Sequence, residues 1–447
     1  MSYIVLRIRP ISLNPVRPVR HLATRPIVYL EFLLGQSGRI PLQKMYHQRN
    51  RLRSGSRGQH NRFNSGPRRF GGNRSGRGRF QPKELDPRLF VKAADMSQIK
   101  DSHITHSFSD FTLPKQLQDN LASVGFDTPT PIQDRALEPM LQRRDVIGLA
   151  DTGTGKTAAF VLPILAKLAA NPNQNALIVA PTRELAVQIR DDLRSLSNGL
   201  QIHSALLIGG TGIFRQLQEL KRNPHIFIGT PGRLKDLHER RALHLGNTHT
   251  VVLDEMDRML DMGFVKDITT LLSFLPEQRQ TLLFSATIDD RVEGIARTFM
   301  TDPIKVEAKT GATSQNVNQD VIKVSGGDKI AILKSLLKSE AFRKVIIFGR
   351  TKHGVEKLSV ALAQSGFAAG AIHGNKRQSQ RQRVLTDFKT DRINVLVATD
   401  VAARGIDVKD ITHVINFDQP DSYQDYIHRI GRTGRAGKPG QALTFVN

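Results

Sequence analysis

The feature that most constrains this chain is the stretch from Val146 to Thr157. An apolar run of strand length passes into Asp-Thr-Gly-Thr-Gly-Lys-Thr, and an apolar helical pattern follows over 158–168. Strand, glycine-rich turn and helix in this order predict a loop whose backbone N–H groups surround phosphates at a helix N-terminus. Lys156 can then reach the outer phosphate oxygens, and the Thr157 hydroxyl can hold Mg²⁺. The alternative is a chance glycine-rich turn, since Ala150 replaces the first glycine of the general pattern.

The predicted phosphate loop is followed by strand-length apolar runs that alternate with helix-length segments. The runs lie at 176–180, 204–208, 225–229, 250–253 and 281–284. A second series, without a phosphate loop, lies at 344–348, 368–372, 394–398, 412–417 and 442–446. Each series predicts a doubly wound parallel sheet with functional residues at the carboxyl ends of its strands. We therefore expect an α/β protein with domains at 100–308 and 320–447, joined by a linker at 309–319.

Two carboxylates follow a buried strand of the first domain directly, at Asp254 and Glu255. Asp254 suits Mg²⁺, and Glu255 can orient or deprotonate an attacking water. An acidic surface turn is the alternative. In the second domain, guanidinium groups recur every three residues between His428 and Arg435, which predicts a helix that presents them on one face to a transferring phosphate. A solvated basic helix is the alternative there.

A carboxamide and an aromatic ring precede the phosphate loop. Residues 108–133 contain a helical pattern that prolines end and restart, which brings Gln133 near the loop. A Gln side chain offers a donor and an acceptor that suit the edge of adenine, and Phe108 could stack on its ring. A core Phe and a surface Gln are the default reading.

The charge of the chain is concentrated at its N-terminus. Of a net charge of +24, residues 1–83 carry +17 from 16 Arg and 2 Lys against Glu31, and the remainder carries +7. Within 49–80, Arg, Gly, Ser and Asn dominate and Phe63, Phe70 and Phe80 lie between the arginines. This composition predicts a disordered basic tail that binds RNA without sequence preference, with a solvated linker as the alternative.

The first residues and the cysteine count bear on location. Residues 1–41 are rich in Arg, but four prolines interrupt the amphipathic helix of a transit peptide. A misassigned start with Met45 as the first residue is equally open, and a secretory signal is less favoured. The chain has no cysteine and no apolar run long enough to span a bilayer. We expect a soluble cytoplasmic protein, with the mitochondrial matrix as the alternative if the extension is a transit peptide.

Taken together, the motifs from Phe108 to Val446 resemble the DEAD-box RNA helicase family. They include Pro-Thr-Arg-Glu-Leu-Ala at 181–186, Gly-Gly at 209–210, Thr-Pro-Gly-Arg at 230–233, Asp-Glu-Met-Asp at 254–257 and Ser-Ala-Thr at 285–287. The family pattern also has Ala at the position of Ala150. It has Ala where this chain has Met256, which we expect to alter local packing rather than abolish turnover.

The resemblance implies two tandem RecA-like domains of bacterial type that close over ATP, Mg²⁺ and RNA, with a largely monomeric core. It implies catalytic roles for Lys156, Asp254, Glu255, His428, Arg432 and Arg435, with His428 connecting the ATP site to 285–287 and with Thr157 and Asp254 at the metal. It implies nucleotide contacts from Phe108, Gln133, Ala150, Asp151, Thr152, Gly153, Thr154, Gly155, Lys156, Thr157 and Asp407. It implies RNA contacts from Pro181, Thr182, Arg183, Gly210, Thr230, Arg233, Arg350, Thr351, Gln378, Arg381, Thr399 and Gly405.

Other functions stay open at this level. The chain could be an ATP-gated RNA clamp or annealing chaperone whose tail dominates, an inactive scaffold, or a DNA helicase. The resembling second domain normally continues with a covering helix after its last strand, so the sequence predicts a fragment with an under-covered sheet face near 442–446.

Overall fold

The computed structural model describes residues 85–94, 104–151, 153–308, 316–324, 328–403, 408–435 and 438–446. The predictions for the basic tail at 1–83 lie outside these residues. So do those for Thr152, Gly405 and Asp407. Two lobes make up most of the described chain: the first lobe is residues 104–308 and the second lobe is residues 316–446.

The first lobe contains a parallel sheet with the order β3-β4-β2-β5-β6-β1-β7. Its strands are β1 Val146–Leu149, β2 Asn175–Val179, β3 Ser204–Leu207, β4 Ile226–Gly229, β5 Thr248–Leu253, β6 Gln280–Ser285 and β7 Ile304–Glu307. Central strands such as β1 and β4 are buried along their whole length. Helices cover both faces of the sheet, as the near-continuous apolar runs predict.

The helices of the first lobe begin and end near the predicted punctuation. They are α1 Lys115–Ser123, α2 Pro131–Leu141, α3 Lys156–Ala170, α4 Arg183–Leu196, α5 Ile213–Leu220, α6 Pro231–Glu239, α7 Met256–Asp261, α8 Val265–Ser273 and α9 Asp290–Phe299. Pro131 occupies the first turn of α2, where its missing N–H costs nothing. Two apolar cores result, one on each face of the sheet.

The second lobe repeats the plan with a parallel sheet of order β10-β11-β9-β12-β13-β8. Its strands are β8 Val317–Lys323, β9 Val345–Phe348, β10 Ala369–Ile372, β11 Val395–Ala398, β12 His413–Asn416 and β13 Gly440–Val446. Its helices are α10 Lys329–Leu337, α11 Lys352–Ala363, α12 Gln378–Lys389, α13 Asp400–Ala403 and α14 Tyr423–Ile430. The predicted fold class of two doubly wound parallel-sheet domains is confirmed.

Two edge strands, β7 and β8, do not correspond to any apolar run of the sequence. β7 and β8 alternate buried or half-buried with exposed residues, so neither contains the continuous run that marks the central strands. β8 pairs in parallel with β13 and begins at Val317, inside the segment 309–319 that is predicted to be linker. The second domain therefore begins a few residues earlier than the sequence indicates.

The sheet face near β13 is covered, contrary to the prediction. Residues 85–92, which we call the N-terminal flank, lie on the second lobe and include a 3₁₀ helix at Pro87–Phe90. Phe90 is fully buried in a cluster with Ala442 and Val446 of β13. The covering group comes from upstream in the chain, a possibility that local sequence patterns do not reveal. Among the described residues, no helix has the length and apolar character needed to cross a membrane.

Candidate functional site

The predicted phosphate loop forms between β1 and α3. Gly153 and Gly155 adopt φ values of +84° and +90°, a left-handed conformation that favours glycine. A Cβ at Gly155 would lie 2.6 Å from Gln133 Nε2, so this position has no room for a side chain. Lys156 is buried at the first position of α3, and its Nζ donates to the Ala150 carbonyl at 3.0 Å. This hydrogen bond holds the Lys156 ammonium beside the loop.

Gln133 and Phe108 are both buried, and their contact with adenine stays a prediction. Gln133 is fully buried; its Oε1 accepts from the Thr130 N–H at 2.9 Å and its Nε2 donates to the Gly155 carbonyl at 3.0 Å. Phe108 is buried and packs edge-on against Phe126, with ring centroids 6.3 Å apart. Gln133 and Phe126 line the cleft over the loop. Gln133 therefore shapes the phosphate loop directly, and the half-buried Phe126 supplies an aromatic wall.

Asp254 and Glu255 emerge at the carboxyl end of β5, as predicted. Both are buried, and Glu255 caps α7 in the left-handed region with φ +51°. Asp254 Oδ1 accepts from the Glu255 N–H at 2.9 Å, and Glu255 Oε2 accepts from Arg258 Nη1 at 2.7 Å. A non-glycine residue at positive φ is uncommon, and here it aims the carboxylate into the cleft next to Asp254.

Burial and the nearby charges together shift the pKa values of Asp254 and Glu255 in opposite directions. Burial raises the pKa of Asp254 to about 6, although the Lys156 ammonium acts against this. Burial alone would raise the pKa of Glu255 as well. The Arg258 guanidinium and the Lys156 ammonium, with a smaller contribution from Arg432, outweigh burial and lower it. Glu255 therefore stays ionised although it is buried.

The third acid of the motif, Asp257, connects the acidic motif at 254–257 to residues 285–287. Its Oδ2 accepts from the backbone N–H groups of Ala286 and Thr287 at 3.1 and 3.0 Å, and from Thr287 Oγ1 at 3.1 Å. The Asp257 N–H donates to Ser285 Oγ at 3.3 Å. These contacts join Asp257 to residues 285–287, and the connecting role that the resemblance gives to His428 stays a prediction. Met256 is fully buried in the apolar core of the first lobe, so its side chain contributes to packing.

The arginines of the second lobe reach the same cleft, but not from a helix. The predicted helix over 428–435 ends at Ile430: Gly431 is the C-cap of α14 with φ −64°, and Gly434 adopts φ +70° in the turns that follow. Arg432 Nε donates to the His428 carbonyl at 3.3 Å, and Arg435 Nε donates to the Gly431 carbonyl at 2.9 Å. Turns after α14 therefore position both guanidiniums.

Arg429, which lies within α14, makes its contacts inside the second lobe. It is buried, and its Nε and Nη2 donate to the two carboxylate oxygens of Asp400 at 2.6 and 2.8 Å. Its Nη1 donates to Asn416 Oδ1 at 3.1 Å. His428 lines a small cavity with Arg429 and Arg432. Arg429 thus anchors α14 to the second lobe.

A single cleft of about 360 Å³ receives residues from both lobes. The first lobe contributes Gly153, Gly155, Lys156, Thr157, Asp254 and Glu255, and the second contributes Lys409, Arg432 and Arg435. Sequence reasoning missed Lys409, which lies in no motif. The one available signal was its position two residues after Asp407. The remaining loop residues Ala150, Asp151 and Thr154 are close by, and Thr154 Oγ1 donates to the Asp151 carbonyl at 2.8 Å.

The predicted RNA contacts lie at the carboxyl ends of strands in both lobes. Pro181, Thr182 and Arg183 follow β2, Gly210 follows β3, and Thr230 and Arg233 follow β4. Arg350 and Thr351 follow β9, Thr399 follows β11, and Gln378 and Arg381 open α12 after β10. Thr182 and Thr351 cap α4 and α11 through their hydroxyls. These residues therefore collect at the same edges of the two sheets, where loops of such folds carry functional side chains.

For two arginines among these residues, the surroundings set the position of the guanidinium or its hydrogen bonding. A Cβ at Gly210 would overlap the Arg183 guanidinium, so the glycine lets Arg183 lie against the backbone of 209–210. Arg233 Nη1 is buried without a hydrogen-bond partner among the described residues. A buried guanidinium N–H without a partner is costly, which suggests that a ligand satisfies it.

Gln378 and Arg381 are occupied in a contact between the lobes. Gln378 Nε2 donates to Glu184 Oε1 at 2.9 Å, and Arg381 Nη2 lies 3.0 Å from Glu184 Oε2. All three side chains are buried. Both residues are predicted to contact RNA; in this structure their side chains join the lobes, which makes Glu184 a functional residue that sequence reasoning did not single out.

The fold and site define a two-lobed nucleotide hydrolase with a phosphate loop. A family model described as DEAD/DEAH box helicase matches residues 130–295, and one described as helicase conserved C-terminal domain matches 328–437. The chain belongs to the DEAD-box family of ATP-dependent RNA helicases.

Curated relatives include two bacterial RNA helicases. The ATP-dependent RNA helicase CshA of Listeria monocytogenes is 47% identical over 342 residues, which span 76% of this chain and 66% of that protein. The DEAD-box ATP-dependent RNA helicase CshA of Geobacillus kaustophilus is 48% identical over 343 residues, 76% of this chain and 73% of that protein. The chain thus matches about two thirds to three quarters of their lengths.

Solved structures with the same two-lobed arrangement carry nucleotide and RNA. S. cerevisiae Dbp5 bound to RNA and ADP BeF3 has 32% identity and a TM-score of 0.67, over 77% of this chain and 90% of that one. The DEAD-box helicase Mss116 bound to ssRNA and UDP-BeF has 31% identity and a TM-score of 0.67, over 76% and 74%.

Proposed function

We propose that this chain is an RNA-stimulated ATPase that closes its two lobes on ATP and RNA and so unwinds short duplexes locally or remodels RNA–protein complexes. The observation that carries the proposal is the shared cleft, in which the phosphate loop and two carboxylates of the first lobe face Arg432 and Arg435 of the second. Neither lobe holds a complete site alone. Hydrolysis then requires closure, and closure is what RNA binding favours.

At the ATP site, each residue has a role that its position supports. Lys156 and the loop N–H groups bind the outer phosphates, and Glu255 orients the attacking water. Arg432 and Arg435 stabilise the negative charge that builds on the transferring phosphoryl group. The donors present fit Mg²⁺, because the Thr157 hydroxyl and the Asp254 carboxylate line one cleft and Mg²⁺ prefers one or two such ligands together with phosphate oxygens. When bound, Mg²⁺ neutralises charge between the phosphates.

For RNA, we propose that the strand crosses both lobes along the residues at the strand ends. Backbone contacts to phosphates and 2′-hydroxyls carry little sequence information, so binding by the core is expected to be sequence-independent but selective for RNA over DNA. The basic residues 1–83 add affinity through phosphate contacts. A comparison of RNA and DNA as ATPase activators separates this function from a DNA helicase.

The test is a pair of substitutions in RNA-stimulated ATPase and duplex-unwinding assays. Glu255→Gln is expected to bind ATP and RNA normally but to hydrolyse slowly, because the amide cannot orient or deprotonate water as the carboxylate does. Arg432→Ala is expected to lose on the order of 10³-fold in turnover. Undiminished turnover in Glu255→Gln, or a loss below tenfold in Arg432→Ala, would contradict the assigned roles.

For location, we propose the cytoplasm, supported by the bacterial source of the CshA relatives. A fluorescent fusion to the full chain tests this, and accumulation in an organelle or at a membrane would contradict it.

A further inference from the structure

The N-terminal flank is bound to one lobe and leads, along the chain, into the other. Phe90 is fully buried, and its ring centroid lies 4.7 Å from that of Tyr426 on α14. Val317 and Ala442 complete the apolar cluster around it. Eleven residues, 93–103, then connect the flank to the first lobe. Apolar burial of a whole phenylalanine indicates a specific docking site rather than an incidental contact.

Polar contacts fix the flank at the same place. The Lys92 N–H donates to the Gln319 carbonyl at 3.0 Å, and the Gln319 N–H donates to the Lys92 carbonyl at 2.8 Å. The Tyr426 hydroxyl donates to Gln319 Oε1 at 3.1 Å. Asp86 caps the 3₁₀ helix through the Arg88 N–H at 2.9 Å. The flank is therefore held to the second lobe by its backbone pairing with Gln319 and by the tilted ring contact of Phe90 with Tyr426, while Asp86 orders its 3₁₀ helix.

The element under the flank is the one that leads to the cleft arginines. Tyr426 and Ile430 of α14 belong to the cluster with Phe90. Arg429, from another face of the same helix, binds Asp400. The carbonyls near the end of α14 in turn receive hydrogen bonds from Arg432 and Arg435. A change in the position of α14 therefore changes the position of both guanidiniums.

We propose that the N-terminal flank is part of the hydrolysis machinery and that Phe90 is a positioning residue for Arg432 and Arg435. The flank packs against α14 on a different face from the Arg429 contacts, and so fixes the turn that presents the guanidiniums to the cleft. This inference rests on the proposed function of the cleft. It adds a regulatory consequence: the segment next to the basic tail controls turnover, although none of its described residues lines the cleft.

Substitution of Phe90 tests the positioning role. Phe90→Ala is expected to lower kcat about tenfold or more, because small displacements of catalytic groups carry costs of that order, with little change in KM for ATP or RNA. Leu89→Ala is the matched control, since Leu89 lies in the same 3₁₀ helix but is 45% exposed; it is expected to keep full turnover. Phe90→Leu is expected to restore most of kcat because it refills the apolar site.

If Phe90→Ala folds poorly, truncated chains and an added peptide still test the positioning role. A chain that begins at Glu84 keeps the flank, and one that begins at Met96 lacks it. We expect only the second to lose turnover. A peptide of residues 84–94 added at millimolar concentration, comparable to the effective concentration of a short tether, is expected to restore part of it, and the same peptide with Phe90→Ala is not.

Arg432→Ala measured in parallel separates the two claims. If that variant keeps its turnover, the proposed function of the cleft fails. If it loses turnover while Phe90→Ala and the Met96 chain keep theirs, only the inference about the flank fails. A triple variant decides how the flank acts: if Phe90→Ala works through Arg432 and Arg435, it lowers kcat much less when both arginines are already replaced. A full additional loss in that background would overturn the positioning role.

Discussion

Glu184 offers the sharpest test of lobe closure, because its carboxylate is the point at which both lobes meet. It lies in the first turn of α4, and its two oxygens contact Gln378 and Arg381 of the second lobe at 2.9 and 3.0 Å. Glu184→Ala removes both contacts and leaves the phosphate loop, the acids and the cleft arginines unchanged. We therefore expect the closed state to weaken while the chemistry of each lobe stays intact.

The magnitude follows from the burial of the contact. Removing one partner of a buried ion pair costs about 3–5 kcal/mol when the other charge stays buried. Here the lobes can separate and return Arg381 to water, so the loss is expected to appear in closure and to be smaller, about 2–3 kcal/mol. This corresponds to roughly 30- to 150-fold weaker RNA binding in the presence of an ATP analogue. Binding of RNA without nucleotide is expected to change little, because closure is then not required.

Fluorescence measurements can follow both quantities. The chain has no cysteine, so one introduced in each lobe allows specific labelling for energy transfer between lobes, and anisotropy of a labelled oligoribonucleotide reports affinity with ADP·BeF₃. Glu239→Ala is the control, an exposed first-lobe carboxylate. A double cycle with Arg381→Ala isolates the pair. Normal energy transfer and unchanged RNA affinity in Glu184→Ala would refute the argument that this contact stabilises closure.

Three further predictions concern the tail and the first-lobe core. Deletion of residues 1–83 is expected to weaken RNA binding and flatten its salt dependence while maximal ATPase stays largely intact, because +17 of charge is removed; an unchanged salt slope would indicate a passive linker. Burial lowers the pKa of Lys167 from 10.5 to about 7. The unfolded chain therefore binds more protons between these values, and the free energy of unfolding should rise with pH there, by up to about 1.4 kcal/mol per pH unit. Lys167→Met is expected to be more stable at pH 7 and to lose that slope in denaturant titrations, and equal slopes would contradict this. Met256→Ala is expected to cost about 2–4 kcal/mol of stability in the same titrations while kcat per folded molecule persists; loss of kcat without loss of stability would place Met256 in the chemistry.

The central strands and the first-lobe motifs could be predicted because their signals are local. β1, β4 and β9 are short runs buried at every position, which the sequence shows directly. The order strand, glycine loop, helix places Lys156 at the start of α3 beside the loop. The edge strands β7 and β8 expose one face and so carry a weaker pattern. Prediction was therefore most accurate where burial is complete on both faces.

Contacts between distant segments could not be predicted from periodicity. Gln378 lies 194 residues from Glu184 in the chain, and its motif indicated only a polar position at a strand end. Phe90 precedes the first lobe but packs on Tyr426 of the second. The helix over 428–435 was predicted from the arginine spacing, but α14 ends at Ile430 and turns follow. Spacing indicates which residues act together, but it does not determine whether a helix or a turn presents them.

In the proposed function, the closure that brings Arg432 to the phosphates also acts on the Glu255 carboxylate. Burial of Glu255 favours its neutral form, and Arg258 and Lys156 of its own lobe oppose this most strongly. Arg432 adds a smaller lowering of the Glu255 pKa from across the cleft. Opening the lobes removes that contribution together with the charge that stabilises the transition state. On the proposed roles, one residue of the second lobe thus supports both the ionised carboxylate and the developing phosphate charge, so we expect hydrolysis only in the closed state and expect whatever positions Arg432 to control both.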